Sequence, residues 1–466
     1  MRNIAKHAYF VGIGGVGMSG LARILLGFDI LVSGSDVVES KTVQELRAAG
    51  AEIFIGHRGE QIPADVDLLI YSSVIKEDNP EYIEAKKRGI RILCRAGLLA
   101  LLMEQRAGIA VAGSHGKTTT TGMLGTVFLA CQQNPTIIVG GRLPAINAAN
   151  ACWGSGEYLV AEADESDGSF LMLPPKIAVV TNVENDHLDH YGTMEHLVEA
   201  FRQFIEQIPA DGMAVLGIDS EKVAALANAT TSPHLTYGIR NQAADYTAKE
   251  IVYQGIGTVS QIYYQQEYLG QLELQVPGAY NLANALAVIA VCHHLGLPFA
   301  DVAAGLYQFR GTGRRFEFLG ADQNKEIVVY DDYAHHPTEI KSVLNGAKKL
   351  PYERVVAVFQ PHRYSRTQRL KEEFIAAFDE ADVVILNEIY SAFEEPIPGV
   401  DAVMLADGIK KRGHQAVYYG KTEADVLAIL EQVVKKGDLV LIMGAGNIRH
   451  TGECYAARLQ KNNIAG

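Results

Sequence analysis

Long apolar runs, excess positive charge and paired cysteines are all missing from this sequence. No stretch approaches the roughly 18 consecutive apolar residues of a membrane-spanning helix, so no such helix is expected. Lys and Arg number 41 against 54 Asp and Glu, which gives a formal net charge of −13. That charge argues against a general binder of nucleic acid or membrane surfaces. The opening residues lack the long apolar core and the cleavage site of a signal peptide. We therefore expect a cytoplasmic protein whose partners are small molecules.

The cysteines are few and scattered along the chain. They form no Cys-x-x-Cys pair, and their number is five, which does not suit a disulfide framework. We expect free thiols rather than disulfide bonds or a zinc site. These residues are Cys94, Cys131, Cys152, Cys292 and Cys454.

A glycine-rich loop with the sequence VAGSHGKTTTT, residues 111–121, is the feature around which the chain is organised. It lies between a predicted buried strand, residues 108–112, and a predicted helix, residues 122–130. Val111 stands where the usual phosphate loop has its first glycine, so the match is to a shorter loop, GSHGKT. Lys117 supplies a charge for a phosphate group, and the Thr118 hydroxyl is suited to holding Mg²⁺. The residues predicted to bind nucleotide phosphates are Gly113, Ser114, His115, Gly116, Lys117, Thr118 and Thr119.

A second glycine turn opens the first predicted domain, residues 1–106. A strand over residues 8–13 leads into a G-x-G-x-x-G match that contains Gly14, Gly15 and Gly17, and an amphipathic helix follows. Asp36 comes roughly 20 residues further on, where a carboxylate that binds a ribose belongs. The pattern predicts a Rossmann-like unit that binds a diphosphate, and it does not separate NAD from a nucleotide sugar. Ser72 and Ser73 follow a predicted strand, so they either line the same crevice or are solvated turn residues.

Acidic residues end a predicted strand of the middle domain, residues 107–319. Glu162 is predicted to hold Mg²⁺ beside the phosphate loop, and Glu165 is a weaker candidate. His187 follows another strand end and is placed at a second cation. Asn281 either caps a helix or contacts a base. Arg315, in the motif GTGRRFE, either binds phosphate or forms a surface ion pair.

Four strands of the last predicted domain, residues 320–466, are each followed at once by a polar cluster. Ligands bind at this edge of a doubly wound sheet, so four such clusters predict a functional face. A basic loop after the second strand suits an anion, with a solvated loop as the alternative. The candidate residues of this face are Asp332, His335, His362, Arg363 and Arg366.

The alternation of strands and helices predicts an α/β fold of three domains. These are a Rossmann-like N-terminal domain, a central P-loop domain with a mostly parallel sheet, and a C-terminal Rossmann-like α/β domain.

At these motifs the chain resembles the Mur ligases of peptidoglycan synthesis. The matching blocks are spread over all three predicted domains, and they read AGSHGKTTT, EADESDGSF, TNVENDHLDHYG, GTGRRFE, DDYAHHP and HRYSRT. The resemblance implies ATP-driven amide formation with Mg²⁺. The lactyl carboxylate of UDP-N-acetylmuramate would form an acyl phosphate, which an amine then attacks. The opening GIGGVGMSG with GSD resembles the member that uses L-alanine, and a member that recycles a tripeptide is the alternative.

The resemblance also assigns roles to residues. Lys117 would stabilise the γ-phosphate of ATP, Thr118 and Glu162 would hold one Mg²⁺, and His187 would hold a second. The first domain would hold the UDP-sugar, with the turn glycines at the diphosphate and Asp36 at the ribose or base. The residues expected to serve ATP from elsewhere in the chain are Asn281, Arg315, Asp332 and His335. Those expected to receive the amino acid and the acyl phosphate are His362, Arg363 and Arg366.

One position departs from the family pattern. Several members carry a carbamylated lysine in the helix after the TNVENDH block, but the nearest basic residue here is Arg202, which cannot carry a carbamate. Two other functions compete with the ligase. An NAD-dependent oxidoreductase leaves the GKT loop unexplained, and a non-catalytic ATP switch leaves the polar clusters of the last domain unexplained.

Overall fold

Three α/β domains, each built around its own sheet, make up the protein. The computed structural model describes residues 4–72 and 74–464. Ser73, one of the predicted substrate residues, lies outside these ranges. The chain divides into two compact units. One unit comprises Met1–Glu250, Ser260–Glu273 and Leu282–Arg310, and the other comprises Ile251–Val259, Leu274–Asn281 and Gly311–Gly466.

The first sheet is wholly parallel, with the strand order β3-β2-β1-β4-β5. Its central strand, HAYFV, is buried along its whole length, as expected for a strand covered on both faces. The strands are β1 His7–Val11, β2 Leu31–Asp36, β3 Glu52–Ile55, β4 Leu68–Tyr71 and β5 Arg91–Cys94. The helices are α1 Val16–Gly27, α2 Lys41–Ala48, α3 Pro80–Arg88 and α4 Arg95–Glu104.

Local sequence signals set the ends of these helices. Asn79 caps α3 by accepting the N–H groups of Glu81 and Tyr82, Pro80 follows at the first helical position, and Gly89 ends the helix at φ +68°. Proline suits a first turn, and glycine adopts the left-handed conformation at low cost. The bounds of α3 therefore follow from its local sequence.

The second sheet has ten strands in the order β15-β14-β13-β12-β11-β10-β6-β9-β7-β8. Its buried centre is parallel, with β10 and β9 on either side of β6. The strands are β6 Ala107–Ala112, β7 Thr136–Leu143, β8 Ala149–Cys152, β9 Tyr158–Glu162, β10 Ile177–Val180, β11 Met213–Gly217, β12 His234–Gly238, β13 Tyr246–Gln254, β14 Gly257–Tyr264 and β15 Glu267–Leu274. The helices are α5 Lys117–Ala130, α6 Leu188–Tyr191, α7 Met194–Glu206, α8 Glu221–Ala229, α9 Ala279–His294 and α10 Phe299–Gln308.

The third sheet is parallel except for its edge strand β16, with the order β16-β17-β21-β18-β19-β20. Its strands are β16 Glu317–Asp322, β17 Ile327–Asp332, β18 Arg354–Phe359, β19 Val383–Asn387, β20 Val417–Gly420 and β21 Asp438–Met443. Its helices are α11 Pro337–Ala347, α12 Tyr364–Arg369, α13 Lys371–Ile375, α14 Ala402–Lys411, α15 Glu423–Val433 and α16 Ile448–Ile464. The three sheets confirm the predicted fold class, whereas the domain boundaries drawn from the sequence stay predictions.

Two element boundaries were predicted wrongly. Helix α5 begins at Lys117, five residues before the predicted start, so the run of threonines is helical. Strand β1 ends at Val11 instead of Ile13, so Gly12 and Ile13 already belong to the turn. All five cysteines are free, as predicted. Within the described ranges, no helix has the length and apolar character needed to cross a bilayer.

Candidate functional site

The phosphate loop connects the buried strand β6 to helix α5. Gly113 and Gly116 have φ values of +129° and +88°, a region that favours glycine. A Cβ atom at Gly113 would also lie 2.1 Å from Thr181 Oγ1. Helix α5 has no capping side chain and no acidic residue in its first turn. Its first N–H groups and its positive end therefore suit an anion, as the sequence predicts.

The end of strand β10 holds this loop in shape. Ser114 N–H donates to Asn182 O at 2.9 Å, and His115 N–H donates to Asn182 Oδ1 at 2.9 Å. Thr181 Oγ1 and Asn182 Nδ2 donate to His115 O at 2.6 and 2.9 Å. Thr181 ends the strand predicted over residues 177–181 and Asn182 directly follows it, but neither residue was predicted to have a role.

Lys117 lies inside a cluster of carboxylates. Its Nζ donates to Gly113 O at 2.6 Å and to Glu165 Oε1 at 2.8 Å. Glu165 is fully buried and is the carboxylate partner of the lysine, while its weaker predicted role as a metal ligand stays a prediction. Burial lowers the pKa of Lys117, but Glu165 and then Asp164 outweigh this effect and the pKa is raised. The lysine is therefore charged at neutral pH.

The predicted magnesium ligands Thr118 and Glu162 lie side by side. Thr118 Oγ1 donates to Glu162 Oε2 at 2.9 Å, and the same oxygen accepts Gly140 N–H at 2.8 Å. His187 is at φ +57°, and its Nε2 lies 3.8 Å from Glu165 Oε1. Hydroxyl and carboxylate oxygens beside a phosphate loop fit Mg²⁺.

The first glycine turn uses a different support. Gly14 N–H donates to Asp36 Oδ2 at 2.8 Å, and a Cβ at Gly14 would lie 2.8 Å from that oxygen. Asp36 thus links the end of β2 to the turn. The sequence predicted a contact between Asp36 and a ribose, but it did not predict this contact within the protein. Gly15 is the N-cap of α1 and contributes no capping side chain. Ser72 directly follows β4, and its carbonyl accepts Ile75 N–H.

In the second unit, Asp332 ends strand β17 and is buried. Its two oxygens accept the N–H groups of Phe316 and Ala334, each at 2.8 Å. Burial raises the pKa of Asp332 to about 6, although Arg315 opposes the effect. Arg315 Nη1 lies 3.4 Å from Glu339 Oε1.

His335, His362 and Arg366 lie together beyond strands β17 and β18. The rings of His335 and His362 have centroids 5.9 Å apart, and Arg366 Nη1 lies 3.4 Å from His362 Nδ1. Burial, Arg366 and Arg363 lower the pKa of His362 to about 4, so the ring is neutral at pH 7. Arg363 adopts φ +70° and donates its N–H to Tyr390 O at 2.8 Å.

A cavity of about 310 Å³ lies beside these residues, and residues from three of the predicted polar clusters line it. Gln360 Nε2 donates to Asn387 Oδ1 and to Asn447 Oδ1, at 3.0 and 2.9 Å. Asn281, in contrast, donates its side-chain N–H to Pro277 O at 2.8 Å, a local contact near the start of α9. The sequence reading therefore grouped most residues of this face, but it could not define the cavity between them.

Comparison with known proteins matches three family models in succession. They are "Mur ligase family, catalytic domain" over residues 7–107, "Mur ligase middle domain" over 111–292 and "Mur ligase, glutamate ligase domain" over 314–446. A UDP-N-acetylmuramate–L-alanine ligase of Pelotomaculum thermopropionicum is 47% identical over 99% of both chains. The ligase of the same name from Syntrophotalea carbinolica is 49% identical over 98% of this chain and 99% of its own.

Solved structures agree with this result. The crystal structure of a UDP-N-acetylmuramate–alanine ligase from Thermotoga maritima has a TM-score of 0.83 and 31% identity, over 98% of this chain and 100% of that one. A murein peptide ligase from Psychrobacter arcticus has a TM-score of 0.69 and 24% identity, over 97% and 98% of the two chains, and so supports the fold alone.

Proposed function

Because this chain belongs to the Mur ligase family, we propose that it joins L-alanine to the lactyl carboxylate of UDP-N-acetylmuramate, with ATP converted to ADP and phosphate. The observation that carries the proposal is the 47% identity, along 99% of both chains, to a ligase of that name. This reaction supplies a precursor of peptidoglycan. The first domain binds the UDP-sugar, the central domain binds ATP, and the last domain binds the amino acid.

The first step brings together two anions, a carboxylate and a triphosphate. A carboxylate oxygen forms a bond to the γ-phosphorus while the bond to the bridging oxygen of ADP breaks. Lys117 and the first N–H groups of α5 stabilise the charge that develops on the phosphoryl oxygens. Thr118 and Glu162 would hold one Mg²⁺ and His187 a second, and these ions would supply positive charge that screens the repulsion between the anions.

In the second step the amine of L-alanine attacks the acyl carbon and phosphate leaves. Arg363 and Arg366 bind the carboxylate of the amino acid, because guanidinium groups bind carboxylates in a bidentate manner. The neutral ring of His362 lies beside Arg366 without adding a competing charge. Asn281, Arg315, Asp332 and His335 contribute to ATP binding. Exclusion of water by the protein protects the acyl phosphate from hydrolysis.

The other two activities that the sequence left open have less support. The tripeptide-attaching class is represented by the murein peptide ligase, whose TM-score of 0.69 is below the 0.83 of the alanine ligase. An NAD-dependent oxidoreductase has no counterpart among the family models that match.

Phosphate release tests the proposal directly. The protein is incubated with Mg²⁺, ATP and UDP-N-acetylmuramate, and the acceptor is omitted or is L-alanine, D-alanine or the tripeptide L-Ala-D-Glu-diamino acid. Release that depends on L-alanine is expected. Release with the tripeptide alone would assign the recycling reaction instead. Equal release when the acceptor is omitted would contradict the ligase mechanism.

A further inference from the structure

An arginine that the sequence reading did not mention lies against the first glycine turn. Arg95 directly follows β5 and is the first residue of α4. A Cβ atom added at Gly17 would lie 2.8 Å from Arg95 Cδ and 3.4 Å from both Nε and Nη1. Gly17 is in the first turn of α1, so the guanidinium group lies beside the N-terminus of that helix.

Arg95 differs from Arg23 and Arg88 of the same domain in that its side chain has no hydrogen-bond or ion-pair partner among the described residues. Arg23 pairs with Glu45 at 2.8 Å, and Arg88 donates to the carbonyl of Pro63 at 2.7 Å. Among residues 4–72 and 74–464, the Arg95 side chain forms no hydrogen bond and no ion pair within 4.0 Å. No nitrogen of the Arg95 guanidinium group is both buried and without a partner, so this half-buried group stays open to solvent and to an incoming anion.

The position of Arg95 in its helix is also unfavourable. A cation at a helix N-terminus faces the positive end of the helix dipole, and the first turn of α4 contains no acidic residue that would compensate. Burial raises the pKa of Asp164, but Lys117, hydrogen bonds to Ser166 and Arg95 together lower it. Arg95 is thus close enough to the acidic end of β9 to affect it. Residues that break such a local preference, here a cation at a helix N-terminus, are found mostly at functional sites.

We propose that Arg95 binds the diphosphate of the UDP-sugar and completes the cradle formed by Gly14, Gly15 and Gly17. The glycine turn offers N–H groups and the positive end of α1, but it contains no charged side chain. The planar guanidinium group supplies that charge and can donate to two phosphate oxygens at once.

Isothermal titration tests this role, which rests on the proposed UDP-sugar substrate. Wild type, Arg95→Ala, Arg95→Lys and the control Arg91→Ala are each titrated with UDP-N-acetylmuramate, with UDP and with ATP. Arg91 is exposed at the start of the same strand, β5. We expect Arg95→Ala to weaken both UDP ligands by about 10- to 100-fold while ATP binding is unchanged. Arg95→Lys should give an intermediate loss, because the charge remains and the bidentate geometry is lost.

Three results would overturn this assignment. Unchanged binding of both UDP ligands would remove Arg95 from the site. A loss confined to UDP-N-acetylmuramate would move Arg95 from the diphosphate to the lactyl carboxylate, which UDP lacks. An equal loss for ATP would show a general defect of the fold. If the wild type binds neither UDP ligand, the proposed function itself fails. Thermal unfolding checks the fold of each variant, and Arg95→Lys keeps the test valid if Arg95→Ala misfolds.

Discussion

The two glycine turns of the first unit use the same device for two different tasks. Each turn leads from a buried strand to an uncapped helix N-terminus. The first turn has no charged side chain of its own, and Asp36, from the neighbouring strand, holds it. The second turn carries Lys117. Three carboxylates of the same cluster, those of Glu165, Asp164 and Glu162, raise the pKa of that lysine. Under the proposed roles, the turn that only holds a diphosphate takes its charge from Arg95 at the end of another strand, whereas the turn that takes part in phosphoryl transfer carries a fixed charge of its own.

Removing the charge from the second turn should have the largest effect. We expect Lys117→Ala to reduce turnover by about a thousandfold while the fold is retained, because the developing phosphoryl charge loses its cation. Phosphate release and the thermal unfolding midpoint measure the two effects. Lys176→Ala, which removes a surface lysine paired with Asp211, is the matched control. Activity of Lys117→Ala within about threefold of wild type would end the role assigned to it.

Replacing the buried partner of the lysine should shift a pH profile. Glu165 is the largest influence that raises the pKa of Lys117, while burial lowers it. In Glu165→Gln the ammonium group therefore loses its proton at a lower pH, and the alkaline limb of the pH–rate profile should move toward neutral pH. Turnover at pH 7 should fall by about tenfold to a hundredfold as the lysine loses its position. An unmoved alkaline limb would show that Glu165 does not set the charge of Lys117.

Adding one methyl group to the first turn should affect the UDP-sugar alone. The new Cβ of Gly14→Ala would lie 2.8 Å from Asp36 Oδ2, so the turn must move away from its support. We expect the KM for UDP-N-acetylmuramate to rise by about tenfold, the cost of one lost hydrogen bond to a charged group. The KM for ATP should stay constant, and a parallel rise in both constants would contradict the separation of the two turns. Gly50→Ala, at φ +106° with no atom within 4 Å of the Cβ position, adds backbone strain without a clash and tests for general strain.

Changing the support itself should have the smallest effect. Asp36→Asn keeps an oxygen that can accept Gly14 N–H at the 2.8 Å seen here, but it removes the charge. The KM for UDP-N-acetylmuramate should rise by only about two- to fivefold if Asp36 acts through the turn. A far larger rise would favour the direct ribose or base contact that the family resemblance implies. Steady-state kinetics with UDP-N-acetylmuramate varied at saturating ATP distinguish these outcomes.

The parts of the molecule that the sequence predicted are those set by local patterns. Apolar runs located the parallel strands, and the asparagine, proline and glycine around α3 show how local residues set both ends of a helix. The start of α5 was missed because threonine is β-branched and has low helix propensity, whereas here Thr120 and Thr121 are fully buried. Burial in the fold outweighed the local preference.

The contacts between distant segments could not be predicted in this way. The pair Lys117–Glu165 and the contacts of Asn182 with the phosphate loop depend on β9 and β10 lying on either side of β6. That order is a property of the whole sheet and not of any one motif. The same reason explains why Arg95 was overlooked, since it reaches the first glycine turn from the end of a different strand.

The contact between Lys117 and Glu165 has a consequence for discrimination among anions. The ammonium group is already removed from water and already has a negative partner. An incoming phosphate therefore competes with a carboxylate inside the protein and does not displace a hydration shell. A small, singly charged anion gains little in such an exchange, whereas a polyphosphate that also meets the N-terminus of α5 gains several contacts at once. We therefore expect the loop to bind a polyphosphate in preference to chloride or simple phosphate.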